Sequence, residues 1–429
     1  MSRVHLPAAA IAAALIGAAS IVHAQKGPEP PVAPDTSAAF FDDSVLHEIR
    51  LNINSRDWAS LRENYLENTY YPADFRWRDQ VVRNIGIRSR GTGSRSGVKP
   101  GLRVDFDRYS TDQKFLGRLK SFVLRNNTQD ASGMHERISM LFFRRMGAPA
   151  PREAHTRLFV NNAFAGLYTI VESVDKPFLE RVNGENDGYL FKYDYNTTDK
   201  PWYFNDRGND PRLYVPSPFK PETHEDDPHP EGIAELVQIV SRDSDAIFRR
   251  TVEPFIDFAT FIRHIAVEIF LADVDGFNGA WGMNNFYLYR KDDRTPFQFI
   301  AWDKSEAFKG GADYQIGRFI LDVGPPEQNR LTMRVLRDGE LRNRLLNQLA
   351  ECARVMSEID GADPADSRNW MEREIDREYQ QISSSVALSA EDRAYYSREQ
   401  FEQEVERLRT FARDRARFMS DEIARWRRQ

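Results

Sequence analysis

Apolar and polar residues follow two different periods along the chain. Up to about residue 193, short apolar runs alternate with polar positions, as in VLHEIRLNIN (residues 45–54) and VVRNIGIRSR (81–90). Alternation with a period of two predicts half-buried β-strands. From residue 231 onwards, apolar residues recur every three to four positions, which predicts helices that pack on one face, including a helix over residues 331–358. The pattern therefore predicts an α+β fold that is rich in strands first and in helices later.

A β-hairpin is predicted within the helical part. The runs FYLY (residues 286–289) and FQFIA (297–301) are aromatic and β-branched, and a charged turn separates them. Four polar residues stand at the ends of these strands: Asp275, Asn284, Asn285 and Asp303. Because the open ends of an antiparallel hairpin meet, we expect these side chains to lie together. Their oxygen atoms, with no Cys or His nearby, suit a hard divalent cation such as Mg2+, which normally also takes phosphate oxygens.

The order of these residues is also found in protein kinases. There an Asp accepts the proton of the substrate hydroxyl, and an Asn and a later Asp hold metal ions. Asp275 corresponds to the first Asp in this order, and Asp273, two residues earlier, competes for that role. Asp275 is farther from its Asn than in the HRDxxxxN loop, and WDK (residues 302–304) stands where DFG would be. A single Asp is typically a turn or cap residue, so it is the clustering of four polar groups that favours a catalytic site.

A glycine and serine loop lies between two of the predicted strands. Its sequence is GTGSRSG (residues 91–97), and Lys99 follows it. Backbone N–H groups of such a loop can face an anion, and Lys99 would add positive charge for phosphates, as would Arg88, Arg90 and Arg95. An ordinary hairpin tip is the alternative interpretation. Residues 130–146 predict a helix, and Glu136 in its first turn either interacts with the helix dipole or pairs with the lysine near the loop.

The N-terminal residues have the composition of an export signal. Residues 1–24 combine Arg3, an apolar run and a small-residue cleavage site, which is typical of a secretory signal peptide. A Pro-rich stretch follows and predicts a flexible linker over residues 25–42, so that the folded domain spans residues 43–429. No later segment is apolar enough to cross a bilayer. We therefore expect a protein that is exported to the periplasm, the cell surface or the medium.

Composition and charge indicate which kinds of partner and which kind of core the protein has. The 429 residues are 41% hydrophobic and 29% charged, which is enough for a sizeable core. The net charge is −6 and the basic residues are scattered, so a nucleic-acid partner is not expected. Cys352 is the only cysteine and lies in the apolar stripe of a predicted helix, which predicts a buried side chain and a fold that rests on its core alone.

Six segments follow one another in a specific order along the chain. They are GIRSRGTGSRSGVKPGLRVDF (residues 86–106), LFFRRMGAPAPR (141–152), VNNAFAGLYTIVESVDKPFL (160–179), GYLFKY (188–193), DGFNGAWGMNNFYLY (275–289) and FIAWDKSEAF (299–308). With these segments, from about residue 45 to the C terminus, the chain resembles the CotH kinase family, atypical kinases first recognised among spore-coat proteins. The resemblance implies an atypical protein-kinase-like fold with two lobes, a β-rich N-lobe over about residues 43–180 and a helical C-lobe over about residues 181–429.

The resemblance also implies a reaction and the residues that carry it. A member of this family would bind ATP and Mg2+ and transfer phosphate to Ser or Thr hydroxyls of a protein. The residues implied near the nucleotide are Gly91, Gly93, Ser94, Lys99, Glu136, Glu172 and Val174. Glu172 and Val174 would belong to the hinge beside the adenine. Asp275 would be the catalytic Asp, Asp303 the main metal ligand, and Asn285 or Asn284 a further ligand.

The chain departs from the family pattern in the metal site. Many members have WDxD, whereas Ser305 replaces the second Asp here and Glu306 follows it. The missing carboxylate would weaken metal binding or move its role to Glu306. The space outside a cytoplasmic membrane also contains little ATP. The alternative function is therefore a non-catalytic, pseudokinase-like envelope or coat protein that binds a nucleotide or a partner.

Overall fold

Seven strands with alternating apolar residues close into a β-barrel. The computed structural model describes residues 35–194, 202–318, 320–321, 323–324, 328–359 and 365–428, so the predicted signal peptide and most of the predicted linker lie outside the described residues. The barrel strands are β1 (His47–Ile53), β2 (Tyr71–Trp77), β3 (Gln80–Ser89), β4 (Leu102–Asp105), β5 (Ser121–Arg125), β6 (Glu153–Val160) and β7 (Ala163–Glu172). Their order around the wall is β1-β2-β3-β4-β5-β7-β6, and a parallel pairing of β1 with β6 closes the barrel.

Aromatic side chains fill the inside of the barrel. Phe40 is fully buried, and its ring centroid lies 5.0 Å from that of Phe122, 5.1 Å from that of Phe115 and 5.3 Å from that of Trp77. The rings meet edge to face, the geometry that aromatic pairs prefer. Phe40 and Phe41, which the sequence analysis assigned to the linker, therefore belong to the core of the folded domain.

Two connections of the barrel follow from the residue types in them. Asn161 and Asn162, which suit a two-residue turn, join β6 to β7 with φ angles of 50° and 68°. The glycine and serine loop joins β3 to β4, which pair in antiparallel fashion with Ser89 opposite Leu102. The barrel wall thus fixes both ends of this loop.

Three helices lie within or next to the barrel sequence: α1 (Ser55–Glu63), α2 (His135–Arg145) and α3 (Lys176–Asn183). The sequence predicted that α2 begins at Asp130, but in the structure it begins at His135. The reason is that the Asp130 carboxylate caps a preceding turn, where it accepts hydrogen bonds from the N–H groups of Ser132 (2.8 Å) and His135 (2.7 Å). Glu136 consequently lies in the first turn of α2.

A second, antiparallel sheet contains the predicted hairpin. Its strands are β8 (Tyr189–Tyr193), β9 (Phe219–Pro221), β10 (Phe286–Arg290) and β11 (Gln298–Ala301), in the order β11-β10-β8-β9. β10 and β11 pair with Phe286 opposite Ala301, which confirms the hairpin. The Trp302 N–H donates to the Asn285 carbonyl (3.2 Å), so the open ends meet as expected.

The remaining helices form the other part of the core. They are α4 (Glu231–Arg242), α5 (Asp245–Val252), α6 (Phe258–Phe270), α7 (Arg330–Arg337), α8 (Gly339–Met356), α9 (Trp370–Ile382), α10 (Ala390–Arg393) and α11 (Arg398–Trp426). Asp338 divides the helix predicted over 331–358, because its carboxylate caps α8 through the N–H groups of Glu340 and Leu341 (both 3.0 Å). Cys352 is buried, as predicted.

The mixed α+β prediction is confirmed, and the division into two lobes stays a prediction. Strands dominate the chain up to residue 193 and helices dominate it from residue 231 onwards. None of the helices in the ranges given above is long and apolar enough to cross a membrane.

Candidate functional site

A cavity of about 480 Å³ lies between the glycine loop and the open end of the hairpin. The loop contributes Gly91, Gly93 and Ser94 to its lining. The hairpin ends contribute the four polar residues that the sequence analysis grouped: Asp275, Asn284, Asn285 and Asp303. Ligand pockets typically measure ~300–1,000 Å³, so the cavity is large enough for a nucleotide-sized molecule.

Asp275 is held by the two carboxamides at the start of β10. The Asn284 Nδ2 donates to both carboxylate oxygens (3.2 Å each). The Asn285 Nδ2 donates to Asp275 Oδ2 (3.0 Å) and to the Asp275 carbonyl (2.9 Å). Burial raises the pKa of Asp275 to about 7, although the Asn284 amide acts against this. Both amide nitrogens point at Asp275, and the two amide oxygens have no hydrogen-bond partner among the described residues, so they can bind another group.

The backbone is strained at both ends of the hairpin. Asn285 has a φ of 61° and Asp303 a φ of 48°, in the left-handed region that residues with a side chain rarely adopt. Such conformations cost on the order of 1 kcal/mol each and persist where the surrounding structure imposes them, often at functional sites. At this hairpin the Asn285 carbonyl is fixed by the N–H of Trp302 (3.2 Å) and by the ammonium group of Lys304 (3.4 Å).

A buried ionic cluster decides which of two neighbouring acids faces the cavity. The fully buried Lys304 Nζ lies 3.0 Å from Asp273 Oδ2 and 2.5 Å from Glu268 Oε1. The Asp273 carboxylate, only 1% exposed, also accepts a hydrogen bond from the Asp275 N–H (3.0 Å). Asp275, in contrast, lines the cavity. Of the two acids that the sequence left open, the structure brings Asp275 to the cavity.

Asp303 is bound to an arginine that the sequence analysis did not single out. Arg125, at the end of β5, donates to Asp303 Oδ1 (2.7 Å), and the Ser305 hydroxyl donates to the same oxygen (3.0 Å). Burial acts to raise the pKa of Asp303, but Arg125 lowers it to about 2. The carboxylate is therefore ionised at neutral pH. Among the described residues, its Oδ2 atom has no hydrogen-bond partner.

Glu136 pairs with Arg125 and not with Lys99, which corrects the pairing expected from the sequence. A terminal nitrogen of Arg125 lies 2.9 Å from Glu136 Oε1, and both side chains are 4% exposed. Burial raises the pKa of Glu136 to about 7 and that of the adjacent Glu153 well above its usual value. An ion pair between a barrel strand and α2 does exist, but an arginine supplies its positive charge. The only sequence signal for it is the charged residue that ends the otherwise apolar run SFVLR (121–125).

Lys99 does not reach the cavity. Its Nζ lies 2.7 Å from Asp392 Oδ1 and donates to the Leu167 carbonyl (2.9 Å). Lys99 and Asp392 line a separate pocket of about 40 Å³. The expected contact between Lys99 and phosphates therefore does not fit the structure, because a carboxylate already neutralises this ammonium group.

Four other cations do line the cavity: Arg88, Arg95, Arg90 and Lys192. The last two, Arg90 and Lys192, lie 5.6 Å and 5.9 Å from the ring centroid of Trp302, which also lines it. Neither of these two cations has an ion-pair partner in the part of the chain that the structure describes. Burial lowers the pKa of Lys192 to about 8 and that of Arg90 to about 10, so both are charged at neutral pH. The cavity thus combines cations with the acids Asp275 and Asp303.

The predicted hinge residues lie outside the cavity lining. The Glu172 carboxylate forms ion pairs with Arg152 (2.7 Å) and Arg181 (2.6 Å). Val174 is buried in an apolar cluster that includes Phe178. Both residues thus have structural partners, and the structure does not bring them to the other predicted site residues.

Glu306 likewise stays outside the lining, although its neighbour Ser305 belongs to it. The Glu306 carboxylate lies 2.7 Å from the Lys309 ammonium group and accepts a longer hydrogen bond from Gln129 (3.4 Å). The structure therefore does not place Glu306 where it would replace the carboxylate that the family pattern has at Ser305.

The oxygen atoms around the cavity fit a hard divalent cation. Asp303 Oδ2 and the amide oxygens of Asn284 and Asn285 are the available donors. Mg2+ typically binds one or two carboxylates and completes its shell with water and phosphate oxygens. The described ranges contain no group of three or more His, Cys, Asp or Glu residues that could hold a metal ion. A cation at this site would therefore depend on a phosphate-bearing ligand.

Comparisons with known proteins identify the family of this chain. The family model described as CotH kinase protein matches residues 87–419. The inner spore coat protein H of Bacillus subtilis (strain 168) is 22% identical over 384 residues, which cover 89% of this chain and 99% of the relative.

Two solved structures show weaker similarity. The Helicobacter pylori proinflammatory kinase CtkA has 8% identity and a TM-score of 0.34, and the match covers 74% of this chain and 93% of that one. The complex of HipA, HipB and operator DNA from the Shewanella oneidensis MR-1 toxin–antitoxin system has 10% identity and a TM-score of 0.30, with coverages of 79% and 63%.

Proposed function

The chain belongs to the CotH kinase protein family, and from this premise we propose that it is an exported kinase that transfers the γ-phosphate of ATP to Ser or Thr hydroxyls of a protein in the presence of Mg2+. The observation that carries the proposal is the cavity in which Arg90 and Lys192, two cations with no ion-pair partner among the described residues, lie with the acids Asp275 and Asp303. This combination of charges suits a triphosphate and its metal ion.

The cations and the glycine loop would bind the triphosphate. Arg90 and Lys192 are half-buried, so their charges are screened less than those of exposed side chains. The loop adds Gly91, Gly93 and Ser94, whose backbone can approach phosphate oxygens closely. Lys192 would thereby take the role that the sequence analysis gave to Lys99, and Arg90 would have the role expected of it from the sequence.

Asp303, with Asn284 and Asn285, would hold Mg2+. When bound, Mg2+ neutralises charge on the phosphates and orients them. The protein prepares this site in advance, because Arg125 keeps the Asp303 carboxylate ionised and fixes Oδ1. Ser305 fixes the same oxygen through its hydroxyl group.

Asp275 would act on the acceptor hydroxyl. The hydroxyl oxygen forms a bond to the γ-phosphorus, the bond between this phosphorus and the β,γ-bridging oxygen breaks, and ADP leaves. The hydroxyl proton passes to Asp275 or is oriented by it. The amides of Asn284 and Asn285 hold this carboxylate in one orientation.

The fold and the location belong to the same proposal. We assign the barrel to an N-lobe of about residues 43–180 and the remaining residues to a C-lobe of about 181–429, with the cavity between them. We also propose export by residues 1–24, and the name of the relative, inner spore coat protein H, supports a coat or extracellular location. The periplasm, the cell surface and the medium remain the proposed locations.

A non-catalytic, nucleotide-binding coat or envelope protein is the second candidate function. The observation that favours it is the metal site, where Ser305 supplies a hydroxyl and Glu306 is paired with Lys309. With a single carboxylate, the affinity for Mg2+ would be lower than in a site with two.

A transfer assay with matched variants tests the proposal. Asp275→Asn should keep the affinity for ATP and Mg2+ but lower phosphoryl transfer by ~100-fold or more, because the base acts chiefly in the transition state. Asp273→Asn is the control, since this carboxylate faces Lys304 and not the cavity. Labelled ATP, Mg2+ and a Ser- and Thr-rich protein such as casein serve as substrates. A parent protein that binds ATP without transferring phosphate would favour the second candidate function.

A further inference from the structure

The loop between Asp275 and β10 is folded tightly and anchored at several points. The N–H of Gly279 donates to the Gly276 carbonyl (3.0 Å), and the Asn284 N–H donates to the same carbonyl (3.1 Å). The Phe277 N–H donates to the buried Glu268 carboxylate (2.9 Å). These hydrogen bonds close residues 276–284 into a compact turn structure that begins at the proposed base.

Glycines permit the close approach within this loop. A Cβ atom on Gly276 would lie 2.6 Å from the Glu268 carboxylate carbon and 2.7 Å from Asp273 Oδ2. A Cβ atom on Gly279 would lie 3.0 Å from the Cα atom of Asp275. The chain therefore returns to Asp275 at Gly279, only two residues before Trp281.

Trp281 is exposed on this anchored loop. Its relative exposure is 55%, whereas Phe277 and Met283 of the same loop are fully buried. In the described part of the chain, the other large apolar side chains with high exposure do not line the cavity, and Trp281 does. Single exposed apolar residues are common on protein surfaces, but Trp281 lines the same cavity as the proposed catalytic carboxylate.

The position of Trp281 indicates which substrate it meets. The acceptor hydroxyl has to contact Asp275, so the residues next to that hydroxyl lie against the loop that carries Asp275. The proposed phosphate contacts, Arg90 and Lys192, lie instead at the ring of Trp302. Trp281 thus belongs to the loop that begins at Asp275, whereas Trp302 follows β11 and lies near these two cations.

We propose that Trp281 forms a subsite for the phosphate acceptor. The acceptor is a protein segment that contains Ser or Thr, and an apolar or aromatic residue next to that Ser or Thr packs on the indole. This inference rests on the proposed kinase function. An indole offers a large, rigid contact area at little entropic cost, and aromatic contacts contribute ~0.5–1.5 kcal/mol beyond burial. Trp281 would therefore determine specificity and would not take part in the chemical step.

The test compares Trp281→Ala and Trp281→Phe with the parent on a positional library of Ser and Thr peptides. With labelled ATP and Mg2+, Trp281→Ala should lower kcat/KM for the preferred peptides by about 3- to 10-fold and reduce the preference for apolar residues beside the acceptor. Trp281→Phe should retain most of the preference. Affinities for ATP and for adenosine, measured by calorimetry, should be unchanged in both variants. Ile247→Ala removes an exposed apolar side chain from α5, outside the cavity, and serves as the control.

Other outcomes separate the inference from the proposed function. An unchanged peptide preference in Trp281→Ala, with an active parent, would overturn the subsite. Weaker adenosine binding in this variant would assign Trp281 to the nucleotide base and would also overturn it. A parent that phosphorylates no peptide of the library and no protein substrate would remove the kinase function and the subsite together.

Discussion

Lys99 and Lys192 have the same side chain in two different surroundings. Lys99 lies beside a pocket of about 40 Å³, and its Nζ is 2.7 Å from a buried carboxylate oxygen of Asp392. Lys192 lines a cavity of about 480 Å³ and is near the ring of Trp302, with no acidic partner among the described residues. Burial lowers the pKa of both lysines.

The difference shows what makes a cation available to a ligand. A buried ammonium group that already has a carboxylate partner would have to give up that ion pair to bind a phosphate, at a cost of several kcal/mol. A half-buried ammonium group without such a partner gains when an anion arrives. The cavity around Lys192 is therefore suited to a triphosphate, and the small pocket beside Lys99 is structural.

Removal of the Asp303 carboxylate should have the largest effect on ATP binding. Asp303→Asn takes away the proposed Mg2+ ligand and should weaken Mg2+-dependent ATP binding by about 100-fold or more, since even indirect partners of a metal typically contribute 10- to 100-fold. Calorimetric titration of ATP with and without Mg2+ measures this effect.

Glu136→Gln is the matched control for Asp303→Asn. Both substitutions remove one of the two carboxylates that pair with Arg125, so both should destabilise the fold. Only Asp303 lines the cavity. Equal losses of ATP affinity in the two variants would mean that Asp303 acts through stability and not through the metal ion.

Substitution of Lys192 or Lys99 should change ATP affinity less than Asp303→Asn does. Lys192→Ala should weaken ATP binding by about 10-fold, equivalent to ~1.4 kcal/mol, and should affect adenosine much less, because the lost charge faces phosphate. Lys99→Met should leave both affinities unchanged but should lower the free energy of unfolding by ~3 kcal/mol, because Asp392 loses its buried partner. Denaturant titration measures the stability, and calorimetry measures the affinities. A larger loss of ATP affinity in Lys99→Met than in Lys192→Ala would reverse the assignment.

The pH dependence of ATP binding should show whether the charge of Lys192 contributes to ATP affinity. The pKa of Lys192 is lowered to about 8, so its charge is present below that pH and is lost as the pH rises through it. ATP affinity should therefore be about 5-fold lower at pH 9 than at pH 7, because about a tenth of the lysine is still charged at pH 9. In Lys192→Arg this dependence should disappear, because a guanidinium group remains charged over the range. A parent affinity that stays constant from pH 7 to pH 9 would contradict the role of Lys192.

Much of the fold could be predicted because it follows from local patterns. The alternation of apolar residues predicted β1 and β3, and the aromatic runs with a charged turn predicted the hairpin of β10 and β11. Errors arose where a side chain competes with the helix pattern. Asp130 delays the start of α2, and Asp338 ends α7 and begins α8.

The site could be predicted only where its residues are close in sequence or at the ends of one hairpin. Asp275, Asn284, Asn285 and Asp303 meet because the hairpin brings them together. The partners of the lysines and of Glu136 come from distant segments. No pattern near Lys99 indicates Asp392, and no pattern near Glu136 indicates Arg125.

A structure with a non-hydrolysable ATP analogue and Mg2+ would show directly whether the cavity binds the triphosphate and the cation. We expect the phosphates to lie between the glycine loop and the side chains of Arg90 and Lys192, and Mg2+ to lie ~2.0–2.1 Å from Asp303 Oδ2. Phosphates bound beside Lys99, or a cation that does not contact Asp303, would contradict this expectation.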